Sequence, residues 1–309
     1  MLRITADVYS GRPNPVAEIT DDAEAEAVLR QLAQDRSLLA SAESAEVTQG
    51  GLGFRGFYLE ALGDEIAQDF DMPATVYLST HALRRSRLGP DVSERLFSLI
   101  ERGERPVMAE AVTALDAPLR EYLVEQLTGP TVESAEDAAA PAQTAAPAEV
   151  APAVACIIEL GVFNPGFWNN DLTVRRTNNC YNYASNWRTN TFAQPGRGCG
   201  QMYTAITCPE MTRASLCDGV HHRFDCFPDT ERPRYLVALV VAPGPGFRDF
   251  HWFRKQSGGF WGHKPGGTEA RNVDNGGVLI TNPETANRGP YTQFCGYFYT
   301  CNSQRRRIR

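Results

Sequence analysis

Two periodicities alternate along the first 128 residues. Leu2–Tyr9 alternates apolar and polar side chains, which predicts a half-buried strand. The cluster Ser10-Gly11-Arg12-Pro13-Asn14-Pro15 interrupts it with two prolines and a glycine and predicts a turn. From Asp21 to Leu39 the chain is rich in Ala, Leu and Gln. Asp21 and Asp22 stand where a helix start favours acids, so a helix is expected there. Phe54–Leu62 and Ala74–Ser79 predict further strands. Val92, Leu96 and Ile100 fall on one face of a helix over 90–102, and 114–127 predicts a second such helix, ended by Gly129-Pro130. Residues 1–129 therefore predict an α+β accessory or targeting domain with no cysteine and one histidine, His81.

Periodicity then disappears. Residues 130–155, mostly Ala, Pro and Glu from Glu136 onward, cannot bury a core and predict an extended linker between two movable halves. It returns in 156–309. A helix is expected to start around Asn178 and run to Trp187, followed by a Pro/Gly loop over 194–200 and a short helix over 209–216. The continuous apolar run in Arg234–Ala242 predicts a buried central strand. Asp249–Arg254 and Phe260–His263 flank Ser257-Gly258-Gly259 and predict a hairpin. Gly277–Ile280 and Tyr297–Tyr299 predict further short strands. A cysteine-bearing helix before an antiparallel sheet makes this half α+β as well.

The formal net charge of −7 hides an asymmetry. Residues 1–155 carry 12 Arg against 26 Asp and Glu, a net of −14, whereas 156–309 carry 18 Lys and Arg against 11 acids, a net of +7. Opposite charges on the two halves predict either interdomain attraction, the first half acting as an inhibitory cover that salt loosens, or two independently solvated surfaces. Lys255 and Lys264 are the lysines, every other base being Arg; with the abundant Ala this points to a GC-rich bacterial genome. No run approaches 18 apolar residues, so no membrane span is expected, and no secretory leader is expected at Met1–Asp7. All eight cysteines lie after residue 155, a density that favours an extracytoplasmic or exported protein. Nothing in the sequence calls for a nucleic acid or a cofactor. Gly51-Leu52-Gly53-Phe54-Arg55-Gly56 spells a dinucleotide fingerprint, but Phe57-Tyr58-Leu59 after it reads as strand, so a turn is expected instead.

The chemistry centres on Asn178-Asn179-Cys180-Tyr181. A thiol at a helix start faces orphan N–H groups that favour the thiolate. Cys180 is the candidate nucleophile and His251, in Phe250-His251-Trp252, the candidate base, with His263 as its rival across the hairpin. Asp274 or Asn272 would orient the imidazole, and Asn179, with Asn178 and the Cys180 N–H, would donate to an oxyanion. The opposing reading makes Cys180 a disulfide partner or buried thiol and His251 a core residue. Cys208, Cys217, His221, His222 and Cys226 form a cluster that either ligates zinc or, with Cys199, Cys295 and Cys301, forms disulfides; if Cys180 is spared, at least one more cysteine stays unpaired. Trp168, Tyr181, Tyr183, Trp187, Trp252 and Trp261, among Asn-rich loops, would either line a glycan or peptide groove or fill a core.

Asn179-Cys180-Tyr181-Asn182-Tyr183-Ala184 resembles the Cys-x-x-Tyr helix start of the CHAP and NlpC/P60 amidases. That resemblance, over about Asn178–Asn275, implies a papain-like fold, a strand histidine such as His251 and cleavage of an amide bond in a peptide or peptidoglycan-like substrate. The whole chain also resembles a group of bacterial proteins that combine Tyr-Ser-Gly-Arg-Pro-Asn-Pro with Asn-Asn-Cys-Tyr-Asn-Tyr-Ala, Phe-His-Trp-Phe-Arg and His-Lys-Pro-Gly-Gly, to which molluscan insoluble shell-matrix proteins are similar. This second resemblance implies no particular activity. Two functions follow as expectations: a thiol-dependent amide hydrolase, or a non-enzymatic, disulfide-stabilised module that binds glycan or protein in a matrix.

Overall fold

The computed structural model describes residues 1–41, 51–63, 69–104, 106, 113–129, 157–223 and 229–309. Among them the chain builds two five-stranded antiparallel sheets with helices packed on them. The first sheet has the order β2-β1-β4-β5-β3, with β1 at Leu2–Asp7, β2 at Val16–Ile19, β3 at Ala40–Ser41, β4 at Gly56–Ala61 and β5 at Thr75–Ser79. In β1 the apolar Leu2, Ile4 and Ala6 face the core, while Arg3 on the other face pairs with Glu18 directly across in β2 at 2.6 Å. The helix Asp22–Ala33 begins where Asp21 accepts the N–H groups of Ala23 and Glu24. It stops short of the expected Leu39 because Asp35 caps a separate 3₁₀ turn at Arg36–Leu38. The helix Gly89–Arg102 buries Val92, Leu96 and Ile100 as its periodicity predicts. Residues 51–56 run straight into β4 rather than into a helix. Gly56 is required there: at φ 146° its Cβ would lie 2.1 Å from the Leu78 carbonyl oxygen.

The second sheet has the order β6-β10-β7-β8-β9, with β6 at His221–His222, β7 at Tyr235–Pro243, β8 at Arg248–Lys255, β9 at Trp261–His263 and β10 at Gln293–Thr300. The apolar run of β7 has a simple cause, because both of its faces are covered. Val237, Leu239 and Val241 join one core cluster, which contains Cys180, Tyr181 and Trp252, while Ala238, Val240 and Ala242 join another, which contains Leu2, Ile4, Val8 and Phe57. The face of this sheet turned away from Cys180 thus shares one apolar core with the amino-terminal half. Residues 277–280 are not a strand; the segment makes an isolated bridge, Val273 with Leu279, in a loop that Asp274 organises. No helix among the described residues is long and apolar enough to cross a membrane. The expected linker 130–155 lies outside the described residues.

Among the described residues two disulfides join Cys199 to Cys217 and Cys208 to Cys295, while Cys180 and Cys301 are free and buried. Cys301 was a possible partner for Cys295, but its thiol donates to the Gly219 carbonyl instead. Cys156 and Cys226 lie outside the described residues. Cys208 and Cys217, two of the zinc candidates, have spent their sulfurs in separate disulfides and so supply no thiolate.

Candidate functional site

The helix that carries Cys180 spans only Cys180–Ala184 and is fixed by a capping box. Asn179 accepts the N–H groups of Tyr181 and Asn182, and the Asn182 side chain accepts the Asn179 N–H in return. The thiol donates to the carbonyl of Phe250 at 3.8 Å. Cys180 is completely buried. Burial and the nearby Asp249 carboxylate raise its pKa well above the ordinary thiol value, against a smaller pull from Lys264. Helix-start geometry therefore does not yield a thiolate here.

Strand alternation separates the expected dyad. Phe250 and Trp252 point towards Cys180, so His251 between them points to the opposite face, against Phe253 and Tyr291. His263, opposite Phe253 in the β8–β9 register, lies on that same far face. The two imidazoles meet each other: His251 Nε2 is 2.9 Å from His263 Nδ1, and His263 Nε2 is 2.9 Å from the Val273 carbonyl. A carbonyl only accepts, so His263 carries its proton on Nε2 and accepts at Nδ1 from His251 Nε2–H. This leaves the lone pair of His251 Nδ1 without a partner among the described residues. Both rings are buried and neutral. Desolvation first, then His263 and Arg55, hold His251 well below 6.5, and desolvation holds His263 down to about 3.

The remaining expected site residues have other tasks. Asp274 accepts the N–H groups of Gly276, Val278 and Asn287, which shapes a loop. Asn272 accepts the Ile280 N–H through its backbone carbonyl. Asn178 holds Val174 O and Asn190 through its amide. The expected aromatic groove is mostly core: Trp168, Tyr181, Tyr183, Trp252 and Trp261 are buried, and Trp187 remains 43% exposed.

What does converge near Cys180 is a junction between the two halves of the chain. Asp249, fully buried in β8, accepts the N–H groups of Ser10 at 2.5 Å, Gly11 at 3.1 Å and Arg12 at 2.9 Å, and also the Tyr291 hydroxyl. The Gly11 carbonyl in turn accepts from Asn179 Nδ2 and Gln194 Nε2, each at 2.8 Å. The Ser10 carbonyl accepts the Gly266 N–H at 3.1 Å. Gly11 lies on Phe250 so closely that a Cβ would stand 2.5 Å from both the ring and the carbonyl oxygen. From the other side Asn14 accepts the N–H groups of Val8 and Tyr9, and Arg55 holds Asp7 and the Tyr9 carbonyl. Burial raises the Asp249 carboxyl, opposed by its four donors. Lys264, also buried, donates to the carbonyls of Arg175, Asn178 and Gly266.

Asp249, Gln194 and Tyr291 were not singled out from the sequence. The available signal was an acid directly before the aromatic run Phe250-His251-Trp252-Phe253, where a buried carboxylate needs several donors. A separate open cleft of about 310 Å³ lies between the helix Ala117–Thr128 and the turn after β7, lined by Glu121, Tyr122, Pro245 and Pro290 among others, and neither Cys180 nor His251 lines it.

No family model matches the chain and no solved structure matches it, so the resemblance to the CHAP and NlpC/P60 amidases gains nothing from these comparisons. A curated relative, "Insoluble matrix shell protein 1" of Ruditapes philippinarum, is 47% identical over 135 residues, which cover 44% of this chain and 86% of the relative.

Proposed function

We propose a function from one premise: the chain belongs to the family of insoluble matrix shell protein 1. The protein acts as a non-enzymatic, disulfide-stapled module of an insoluble assembly, holding a polymer through its surface rather than cleaving it. The observation that carries this reading is the state of Cys180. Its thiol is fully buried, has the Phe250 carbonyl as its hydrogen-bond partner, and has the Asp249 carboxylate rather than an imidazole nearby. A nucleophile needs access and a base, and this thiol has neither.

The surface supports a binding role in one region. Phe167 and Trp187 are 41% and 43% exposed. Arg188 stacks 3.4 Å from the Phe167 ring centre and Arg305 lies 4.8 Å from that of Trp187. Aromatic faces with guanidinium groups beside them suit the apolar faces and acidic groups of an anionic polysaccharide. Timed alkylation of the native protein at about pH 6, read by peptide mass spectrometry, tests the first part, with Cys180 expected to stay unlabelled until the chain is unfolded. Co-sedimentation with an insoluble acidic polysaccharide tests the second, with Trp187→Ala and Phe167→Ala each expected to weaken retention several-fold. Rapid labelling of native Cys180, or a peptidase activity abolished by Cys180→Ala, overturns the proposal.

A further inference from the structure

The contacts around Gly11 have the form of a peptide-binding site that the chain itself fills. On the receptor side, the Asp249 carboxylate takes three consecutive backbone N–H groups. The amides of Asn179 and Gln194 take the carbonyl between them. Each receptor group is anchored by a second partner: Asp249 by Tyr291, Asn179 by the Ala193 carbonyl, and Gln194 by the Tyr203 hydroxyl. The contacts of Asp249, Asn179 and Gln194 with the turn are all to its backbone. Two side-chain features are read besides the backbone: the middle residue has no Cβ, because Phe250 leaves no room, and the Arg12 guanidinium donates to the Arg248 carbonyl at 2.7 Å. The site thus recognises a turn of the form x-Gly-Arg.

The element that presents this turn is joined to the receptor only by a long connection, since 27 residues separate Gly129 from Ile157 in the sequence. A chain of that length reaches up to ~90 Å when extended. Separating the halves would expose the apolar face formed by Val8 and Tyr9 on one side and by Val240, Phe247 and Tyr291 on the other. Each half therefore requires a partner, but nothing in the contacts requires that partner to be in the same chain. Their opposite net charges, −14 and +7, favour pairing of unlike halves over pairing of like ones.

We infer that the Asp249–Asn179–Gln194 cradle accepts the Ser10–Arg12 turn of a second copy of this chain, linking copies by exchange of their amino-terminal halves. The inference rests on the reading of the protein as an assembling matrix module. Exchange of an identical element needs no new surface, because the junction used between copies is the one already formed within a copy. Closed exchange gives dimers and open exchange gives chains of copies, a direct route to an insoluble material. Occupancy within one chain is favoured at low concentration and exchange at high concentration or during refolding in concentrated solution.

The test uses two full-length variants, each lacking one side of the junction. Gly11→Val spoils the turn but leaves the cradle, and Asp249→Leu spoils the cradle but leaves the turn. Differently tagged, they are refolded together and separately, and pairing is read by tandem-tag pull-down and by light scattering after gel filtration. The mixture holds one intact turn and one intact cradle on different chains. It is expected to yield a 1:1 complex at least ten-fold above the pairing of either variant with itself. No enrichment in the mixture overturns the inference. If either variant fails to recover the circular dichroism of the wild type, the milder pair Gly11→Ala and Gln194→Ala is used with the same expectation. A synthetic Val-Tyr-Ser-Gly-Arg-Pro-Asn peptide is expected to bind the Gly11→Val chain, and its Gly-to-Ala form at least ten-fold more weakly; equal binding of the two also overturns it. No polysaccharide is present in these experiments, so their failure leaves the polymer-binding proposal standing, and failure of co-sedimentation leaves this one standing.

Discussion

The buried histidine pair predicts a specific loss of stability in acid. His263 is held neutral down to about 3, against an ordinary value of 6.5, by desolvation. His251 is shifted in the same direction. A folded-state value below the unfolded one disfavours the fold wherever the unfolded chain binds the extra proton and the folded chain does not. The stabilisation is therefore fully present above pH 6.5 and is lost as the pH falls towards the folded value. At pH 4.5, about two pH units below the unfolded value and still above the folded one, the loss from His263 is about 2.7 kcal/mol at about 1.4 kcal/mol per pH unit. His251 adds in the same direction. That is a large part of the ~5–15 kcal/mol by which a fold is held. Geometry supplies the reason: a second proton on His263 would set Nδ1–H against the Nε2–H of His251, 2.9 Å away. The variant His251→Phe/His263→Phe fits a pocket already lined by Phe253 and Tyr291. Removing the donor to the Val273 carbonyl gives it a fixed penalty, independent of pH. Urea unfolding of wild type and variant at pH 7 and pH 4.5, at constant ionic strength, isolates the histidines from the carboxyl groups that titrate in both. The gap between the two proteins should shift in the variant's favour by about 3 kcal/mol on acidification. A shift below about 0.5 kcal/mol would refute the assignment of these rings as neutral and buried.

Other outcomes follow from the same structure. Asp249→Leu orphans the N–H groups of Ser10, Gly11 and Arg12 and the Tyr291 hydroxyl, and should destabilise the protein by about 3–5 kcal/mol in urea titration; an effect under 1 kcal/mol would show that water replaces the carboxylate. Gly11→Ala sets a Cβ 2.5 Å from the Phe250 carbonyl oxygen, part of the sheet backbone, and should lose about 1–3 kcal/mol, whereas Gly161→Ala, with nothing within 4 Å, should be near neutral; equal melting temperatures would contradict the packing. The Cys208–Cys295 bridge closes 87 residues and Cys199–Cys217 closes 18, so chain entropy predicts losses of about 4.6 and about 3.2 kcal/mol when each pair is replaced by Ser. The reverse order in thermal unfolding would indicate that loop closure does not set their contribution.

Patterns within a single element were legible in the sequence. The period-2 alternation of β1, the Val92–Leu96–Ile100 face and the two-sided apolar run of β7 were all visible, because burial imposes them locally. Elements held by partners distant in sequence were not. β2 is four residues long and is defined by its register against β1; the helix Thr80–Arg85 has one buried apolar residue, Leu83. Residues 277–280 carry strand-like side chains but are claimed by the Asp274 loop. At the candidate site the residue types were visible and their orientation was not. Placing His251 beside Cys180 requires knowing which face of β8 lies under the cysteine helix, and that parity is fixed by Phe250 and Trp252 entering the Cys180 cluster.

Parity also explains why four short motifs that look unrelated in sequence occur together. Ser10-Gly11-Arg12 supplies the turn, Asn179 the first carbonyl donor, Asp249 at the head of Phe-His-Trp-Phe-Arg the acceptor, and Gly266 of His-Lys-Pro-Gly-Gly the N–H that meets Ser10. Read locally, Gly11 is a turn glycine; in the structure its constraint comes from Phe250, 239 positions later. Gly266 is constrained in the same way, since a Cβ there would stand 2.4 Å from the Tyr9 carbonyl oxygen. A hydrolase would use the helix-start cysteine to meet a transient peptide in an open cleft. Here the polar groups of Asp249, Asn179 and Gln194 are satisfied by the chain's own glycine turn. The residues that flank the helix-start cysteine thus fasten the two halves of the chain to each other.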